Sequence, residues 1–379
     1  MRVLRAAIAG LTAIGAFVSL TTGSSFVANP SAAAASPRAA LVSAPAITLP
    51  GSVDSNSPVM WELEDGQRKM IVLTSHSGIP SRSIGTEIDR LGGTSQVSLD
   101  PHPGYGVWFE AVVSDDVETW YGFYHNEWPA SRCGREDRAV PRIGAAKSTD
   151  NGLTWTDLGP VIQAYQSSTA CESTNRYVIG GVGDVSVMLD AAKQYLYIFY
   201  SQYHKDPESQ GVAIARLQWA DRDRPGGRLE LWRAGIWEPE AGRRTFLPGL
   251  PGAERRRLEW VYPAATPLVA PTLAWHDDDD RVDAFWGPSV HWNSAIEQYV
   301  MLLNRAKDEN YGQEGIYVSY APRLDDPSLW TAPQKILNGG RWYPQVVGQN
   351  VGTGTDKLAA SSPRFFMSGK SEWVINFTK

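Results

Sequence analysis

From Val53 to the C-terminus, short apolar and aromatic runs are broken at close intervals by Gly, Asp, Asn and Pro. Runs of this length between turn residues read as β-strands. The plainest lie at 70–74, 120–124, 195–200, 299–303 and 372–377. No long stretch carries an apolar stripe at helical spacing. Residues 221–271, with RPGG, PGLPG and ERRR, read as loop insertions.

A weak internal repeat emerges when the runs are aligned. An apolar strand, a turn and an aromatic-rich strand recur. The first strands fall at 57–61, 107–113, 184–189, 287–292 and 342–347. Third and fourth strands are clearest at 142–147 with 158–163, and at 315–320 with 334–337. The repeated unit is therefore a four-stranded antiparallel meander, and five of them predict an all-β fold, a five-bladed β-propeller. A two-sheet sandwich is the alternative; the recurring order of strand types favours the propeller.

The N-terminus has a different pattern. Arg2 and Arg5 precede an apolar run from Ala6 to Leu20, and small residues follow. That is the form of a secretory signal peptide, here 1–35 with cleavage near Ala35. Residues 36–46, rich in Ala, Pro and Ser, read as a linker, and 47–379 as one propeller domain. The apolar run is shorter than the roughly 20 residues a membrane span requires, and no later segment qualifies. Export changes how Cys133 and Cys171 are read: an even pair outside the cell suggests one disulfide, and without CxxC spacing a zinc site is disfavoured.

The chain has 379 residues and a net charge of −6, which gives no electrostatic reason to expect nucleic acid. The 35 Gly and 25 Pro suit short strands and tight turns. The 15 Trp and 15 Tyr lean towards carbohydrate as partner, because such rings stack on sugars. A monomer without a required cofactor is expected.

Ser148-Thr149-Asp150-Asn151-Gly152-Leu153-Thr154-Trp155 fits S-x-D-x-G-x-T-W, the Asp-box. Asp150 can accept N–H bonds across the turn, Gly152 permits positive φ, and Trp155 can pack into the blade. The motif resembles those of sialidases and other glycan-active propellers, and it bears on fold rather than reaction. A looser version stands at 325–330. Three carboxylates fall at the inner strands of successive units: Asp54, Glu110 and Asp184, the last after Gly180-Gly181-Val182-Gly183. If they converge in a partly desolvated funnel, their pKa values diverge, as general acid and base roles require. The glycine run would then allow close ligand contact.

This arrangement resembles glycoside hydrolase family 43 and its five-bladed relatives. In that family three inner-strand carboxylates serve as base, pKa modulator and acid. The resemblance implies Asp54, in Val53-Asp54-Ser55-Asn56-Ser57-Pro58, as base. The family order is Asp, Asp, Glu, whereas this chain runs Asp54, Glu110, Asp184, so Glu110 and Asp184 share the acid and modulator roles. Inversion at the anomeric carbon and furanosides such as arabinan are further implications.

His125 and Glu127 close a predicted second strand and reach the funnel rim, with Glu127 as the alternative acid. Arg82, Arg142 and Arg305 are candidates for hydroxyls or a carboxylate, and Trp108, Trp286 and Trp342 for stacking on sugar. His291, near the axis, is a candidate to touch a central ion or water. The acidic run 277–280 raises a structural calcium, but it lacks EF-hand spacing and reads as a solvated loop. Two other functions compete. A sialidase would need an arginine cluster with a Tyr–Glu pair, which the sequence does not assemble. A non-catalytic glycan-binding propeller would keep the aromatic platforms without convergent carboxylates.

Overall fold

Antiparallel meanders follow one another around an axis as five blades of a β-propeller in a computed structural model. It describes residues 36–379 except 65, 115–118, 240, 247–257 and 277–280. The signal-peptide segment 1–35 and the acidic run 277–280 therefore lie outside the described residues. Blade I is built from Val59–Glu64, Gln67–His76, Ile79–Gly85 and Ser95–Gln96. Blade II has Gly106–Ser114, Trp120–Ala130, Arg135–Ser148 and Thr154–Ile162, with Ser98–Asp100 added in parallel. Blade III has Val182–Leu189, Tyr195–Tyr203, Gln210–Gln218, Glu230–Arg233 and Ile236–Glu238. Blade IV has Phe285–Asn293, Gln298–Ala306, Gln313–Ala321 and Gln334–Asn338, with Leu358–Ala359 beside its first strand. Blade V has Pro344–Val347, Arg364–Met367 and Lys370–Thr378, and its outer strand is Arg38–Thr48.

That last strand corrects the linker expected at 36–46 and moves the start of the propeller ahead of residue 47. Arg38 pairs with Thr378 and Thr48 with Lys370, so the two ends of the described chain close the ring through one sheet. Ala39 and Leu41 pack on a core that holds Ile375 and Phe377. An Ala/Pro/Ser composition carries little strand signal of its own; the waiting edge of blade V makes it a strand. Residues 221–271 also need correction. Two of their strands extend blade III, and Arg243–Phe246 pairs with Leu258–Val261 as a separate hairpin.

Apolar layers between neighbouring blades hold the ring together. Leu73, Phe109 and Trp120 pack between blades I and II; Phe123, Val185 and Tyr200 between II and III. Phe199, Val290 and Met301 join III to IV, Leu302 and Phe365 join IV to V, and Val72, Val347 and Phe366 join V to I. Polar bonds near the axis add register. Phe109 N donates to Ser75 Oγ, Val185 N to Glu110 Oε2, and Val290 N to Ser186 Oγ. Each ties the first strand of one blade to the preceding blade.

In the 148–155 turn, Asp150 accepts from Leu153 N, Thr154 N and Thr154 Oγ1, and Gly152 has φ +76°. Trp155 is buried, its indole N–H on Gly152 O. Desolvation is the largest single effect and opposes ionisation, but these bonds together outweigh it and hold the Asp150 carboxyl below the usual carboxylate range. Among the described residues, no helix is long and apolar enough to cross a membrane.

Candidate active site

Asp54, Glu110, Glu127 and Asp184 line one cavity of about 210 Å³, together with Trp108, His125, Trp286 and Trp342. That volume is below the ~300–1,000 Å³ of sites for drug-sized ligands and suits a small ring.

Two of the carboxyls are aimed by the same device. Strand pairing slips at Glu110, between Phe109 and Ala111, and again at Asp184, between Gly183 and Val185. Such bulges re-aim a side chain that the alternation of a strand would send elsewhere. Asp184 holds φ +42°, unusual for a residue with a side chain and costly enough to require support from its surroundings. Support comes from Tyr203, whose O–H donates to Asp184 Oδ2, and from Tyr343. Asp54 lies in the loop before blade I. It accepts from Trp108 Nε1 at 2.7 Å and Ser77 N at 3.0 Å, with His76 Nδ1 3.5 Å away.

The buried carboxyls form a coupled pair. Burial and then the charge of Asp184 push Glu110 well above its ordinary value. Asp184 is also raised by burial, but His125 and the Tyr203 hydroxyl pull against that rise. The pair therefore holds a proton where separate acids would be ionised, and Glu110 is its better-supported carrier.

His125 is fully enclosed between these groups. Burial opposes its charged form, yet Glu127, Asp184 and Glu110 outweigh it and raise the ring to about 9. Its geometry works the other way. Asp184 N–H donates to Nδ1 at 3.0 Å, while Nε2 lies 3.5 Å from Glu127 Oε1. As arranged, the ring carries its proton on Nε2, and a second proton would break the bond from Asp184.

Atoms of Glu110, His125 and Asp184 lie within 4.8 Å of one another, close enough to share a cation. Each already serves as a hydrogen-bond acceptor, from Val185, Asp184 and Tyr203 respectively, which weakens that use.

The glycine run before Asp184 serves the fold rather than a ligand, which corrects the close-contact expectation. A Cβ on Gly183 would stand 2.3 Å from His125 Nδ1, and one on Gly181 2.4 Å from Pro141 O. These residues let blade III close against blade II.

Trp108 and Trp342 are half-buried at the cavity, whereas Trp286 is 2 % exposed and packs edge-on to Tyr311, Trp342 and Tyr343. Trp286 therefore lies beneath the half-buried rings of the cavity as packing. The arginine candidates lie elsewhere. Arg82 is on the third strand of blade I and does not line the cavity. Arg142 bonds Asn126 Oδ1, Gln163 Oε1 and Pro103 O and stacks on Trp128, beside a separate cavity of about 100 Å³. Arg305 pairs with Asp283. Arg82 and Arg142 come from the third strands of their blades and Arg305 from a second strand, and none of the three lines the cavity. His291 is fully buried against Phe377, and burial lowers it to about 3, so it is neutral.

Sequence reasoning missed Tyr177, Tyr203, Tyr311 and Tyr343, all lining the cavity. Burial, followed by the charge of Asp184, raises Tyr203, Tyr311 and Tyr343 well above the ordinary tyrosine value, so they act as neutral O–H groups. Tyr311 and Tyr343 have φ +61° and +58°. No local motif distinguishes them from core tyrosines.

Cys133 and Cys171 form a disulfide across 38 residues. It ties the end of the hairpin that carries Glu127 to the loop leading to Tyr177. Closing a loop of this length typically contributes about 2–4 kcal/mol. Double substitution to Ser is expected to lower stability by that amount in denaturant unfolding; an unchanged midpoint would refute a stabilising role.

No protein-family model matches this chain, and no curated protein does. Among solved structures, it is similar to the endo-arabinase from Bacteroides thetaiotaomicron at 10% identity and TM-score 0.46, covering 88% of this chain and 97% of that one. It is similar to the family 62 α-L-arabinofuranosidase from Coprinopsis cinerea at 12% and 0.43, covering 89% and 96%. The endo-1,5-α-L-arabinanase from Thermotoga petrophila aligns at 12% and 0.45, covering 87% and 72%.

Proposed function

We propose that this protein is a glycoside hydrolase acting on a neutral glycan. The observation that carries the reading is one aromatic-walled cavity holding carboxyls in two opposed settings: Asp54 oriented by N–H donors, and the buried Glu110–Asp184 pair retaining a proton. Hydrolysis requires a base to take a proton from water and an acid to protonate the leaving oxygen. Asp54 is the base. Glu110 is the acid, and Asp184 is the neighbouring charge that keeps it protonated. Glu127, with Nε2–H of His125 facing it, accepts a sugar hydroxyl. The tyrosine O–H groups are further donors to the ring.

No arginine is among the described residues lining the cavity, so a sialic acid carboxylate has no guanidinium partner among them. Arabinan is the first substrate to test, following the sequence resemblance, and inversion is the stereochemistry it implies. The disulfide suits an oxidising compartment and therefore export.

The test is incubation of the protein with arabinan, arabinoxylan and a panel of aryl furanosides and pyranosides, with the first-formed anomer followed by NMR. Cleavage with inverted configuration is expected. Retained configuration would replace the single displacement by a covalent intermediate. Glycan binding without cleavage across the panel would select the non-catalytic propeller.

A further inference from the structure

The catalytic cavity opens sideways. Trp108, Glu127 and Tyr177 also wall a second cavity of about 530 Å³, which runs out over blade II towards Arg138 and Arg176. Tyr105 and Tyr177 stand in this groove, each 47% exposed.

Tyr105 is held there at some cost. Its φ is +57°, between Gly104 and Gly106. Fully buried Asn126 donates to the carbonyls on both sides, Gly104 O at 2.8 Å and Gly106 O at 2.9 Å. Asn126 Oδ1 in turn accepts from Trp128 Nε1 and Arg142 Nε, and the Tyr105 ring rests edge-on against Trp128, 4.8 Å between centroids. A strained backbone, an exposed ring and a buried polar clamp beneath it make a preorganised platform. Ordinary surface tyrosines need no such clamp.

The groove is not a trap for anions. Glu127, Glu136 and Asp137 line it alongside Arg138 and Arg176, and Arg138 is already paired with Asp137. Mixed charge with exposed aromatic rings suits hydroxyl-rich, uncharged units.

We propose that this groove seats further units of the same neutral sugar chain whose bond is broken in the adjoining cavity, with Tyr105 as the stacking platform. The proposal rests on the hydrolase reading for the identity of the chain, and it makes the substrate an oligosaccharide or polysaccharide rather than a small terminal glycoside.

Binding separates the two ideas. Calorimetric titration of Asp54→Asn with arabino-, xylo- and malto-oligosaccharides, from disaccharide to hexasaccharide, reads the groove whether or not the wild type cleaves. Affinity in one series is expected to rise with chain length beyond the disaccharide. Adding Tyr105→Ala should cut the affinity for the longest member about tenfold, and Tyr105→Phe should preserve it. Thermal melting of each variant confirms that the fold is kept. Affinity independent of chain length, the same length dependence in Tyr105→Ala, or no binding of any neutral series would overturn the proposal. So would tighter binding of oligogalacturonates than of every neutral series. Length-dependent binding by a wild type that cleaves nothing would support the groove and remove the hydrolase reading.

Discussion

Asp54→Asn is expected to lower kcat by about 10²–10⁴-fold on every substrate the wild type cleaves, the usual cost of a lost general base. Asn keeps the shape of the side chain, and its amide oxygen can still accept from Trp108 Nε1 or Ser77 N, so the melting temperature should hold. What is lost is the capacity to take a proton from water. Glu110→Gln should behave differently. If Glu110 protonates the leaving oxygen, its loss matters most for alkyl and sugar leaving groups and little for nitrophenolates, which depart without protonation. Glu127→Gln separates the alternatives: the same leaving-group dependence there, and not at Glu110, would transfer the acid role to Glu127. Normal turnover in all three variants would move the reaction out of this cavity.

A second large effect concerns pH and stability. Glu110 and Asp184 are both raised on folding, from 4.5 and 3.8. A raised carboxyl binds its proton more tightly in the folded state. Its contribution is present below the unfolded pKa and is lost as pH rises through the folded value. Each unit of upward shift corresponds to roughly 1.4 kcal/mol lost at alkaline pH. Asp150, Asp283 and Glu314 are lowered, so their contribution appears above the unfolded pKa and disappears on acidification. Buried His204 and His291 are lowered to about 4 and 3, so they too lose stability as pH falls below the unfolded histidine value of about 6.5. Maximum stability is therefore expected at about pH 6–7, with a decline towards pH 9. Thermal melts across that range check the profile. Glu110→Gln removes the buried titrating group and should flatten the alkaline decline. A wild-type melting temperature that climbs from pH 7 to 9, or an equal alkaline slope in Glu110→Gln, would contradict the assignment of the proton to this pair.

Much of the fold is legible in the chain because its signals are local. Five apolar or aromatic runs with their turns mark five blades, and each run lies on a strand of the structure. The 148–155 turn contains its own hydrogen-bond acceptor at Asp150 and its own anchor at Trp155. The cysteine pair needed only the inference of an oxidising compartment. Asp54, Glu110 and Asp184 could be singled out because Asp54 shortly precedes the first strand of its unit, Glu110 and Asp184 lie within theirs, and inner strands of successive blades converge.

Tertiary structure decided the rest, for a physical reason that is the same in each case. A strand pattern says which residues share a face, but a slip of one residue reverses that face, and the bulges at Glu110 and Asp184 are set by pairing with the neighbouring strand. Tyr203 reaches Asp184 from the neighbouring strand of the same blade, whereas Tyr311 and Tyr343 come from later in the ring, and only closure brings them near it. Arg82 and Arg142 have suitable chemistry but sit too far outward in their blades to meet it. Residues 38–48 carry almost no strand signal until Lys370–Thr378 offers an unpaired edge. The sequence by itself determined the repeating unit and the supply of acids and aromatic rings. The closed ring determined which of them face one another, how much water they keep, and hence which carboxyl holds a proton.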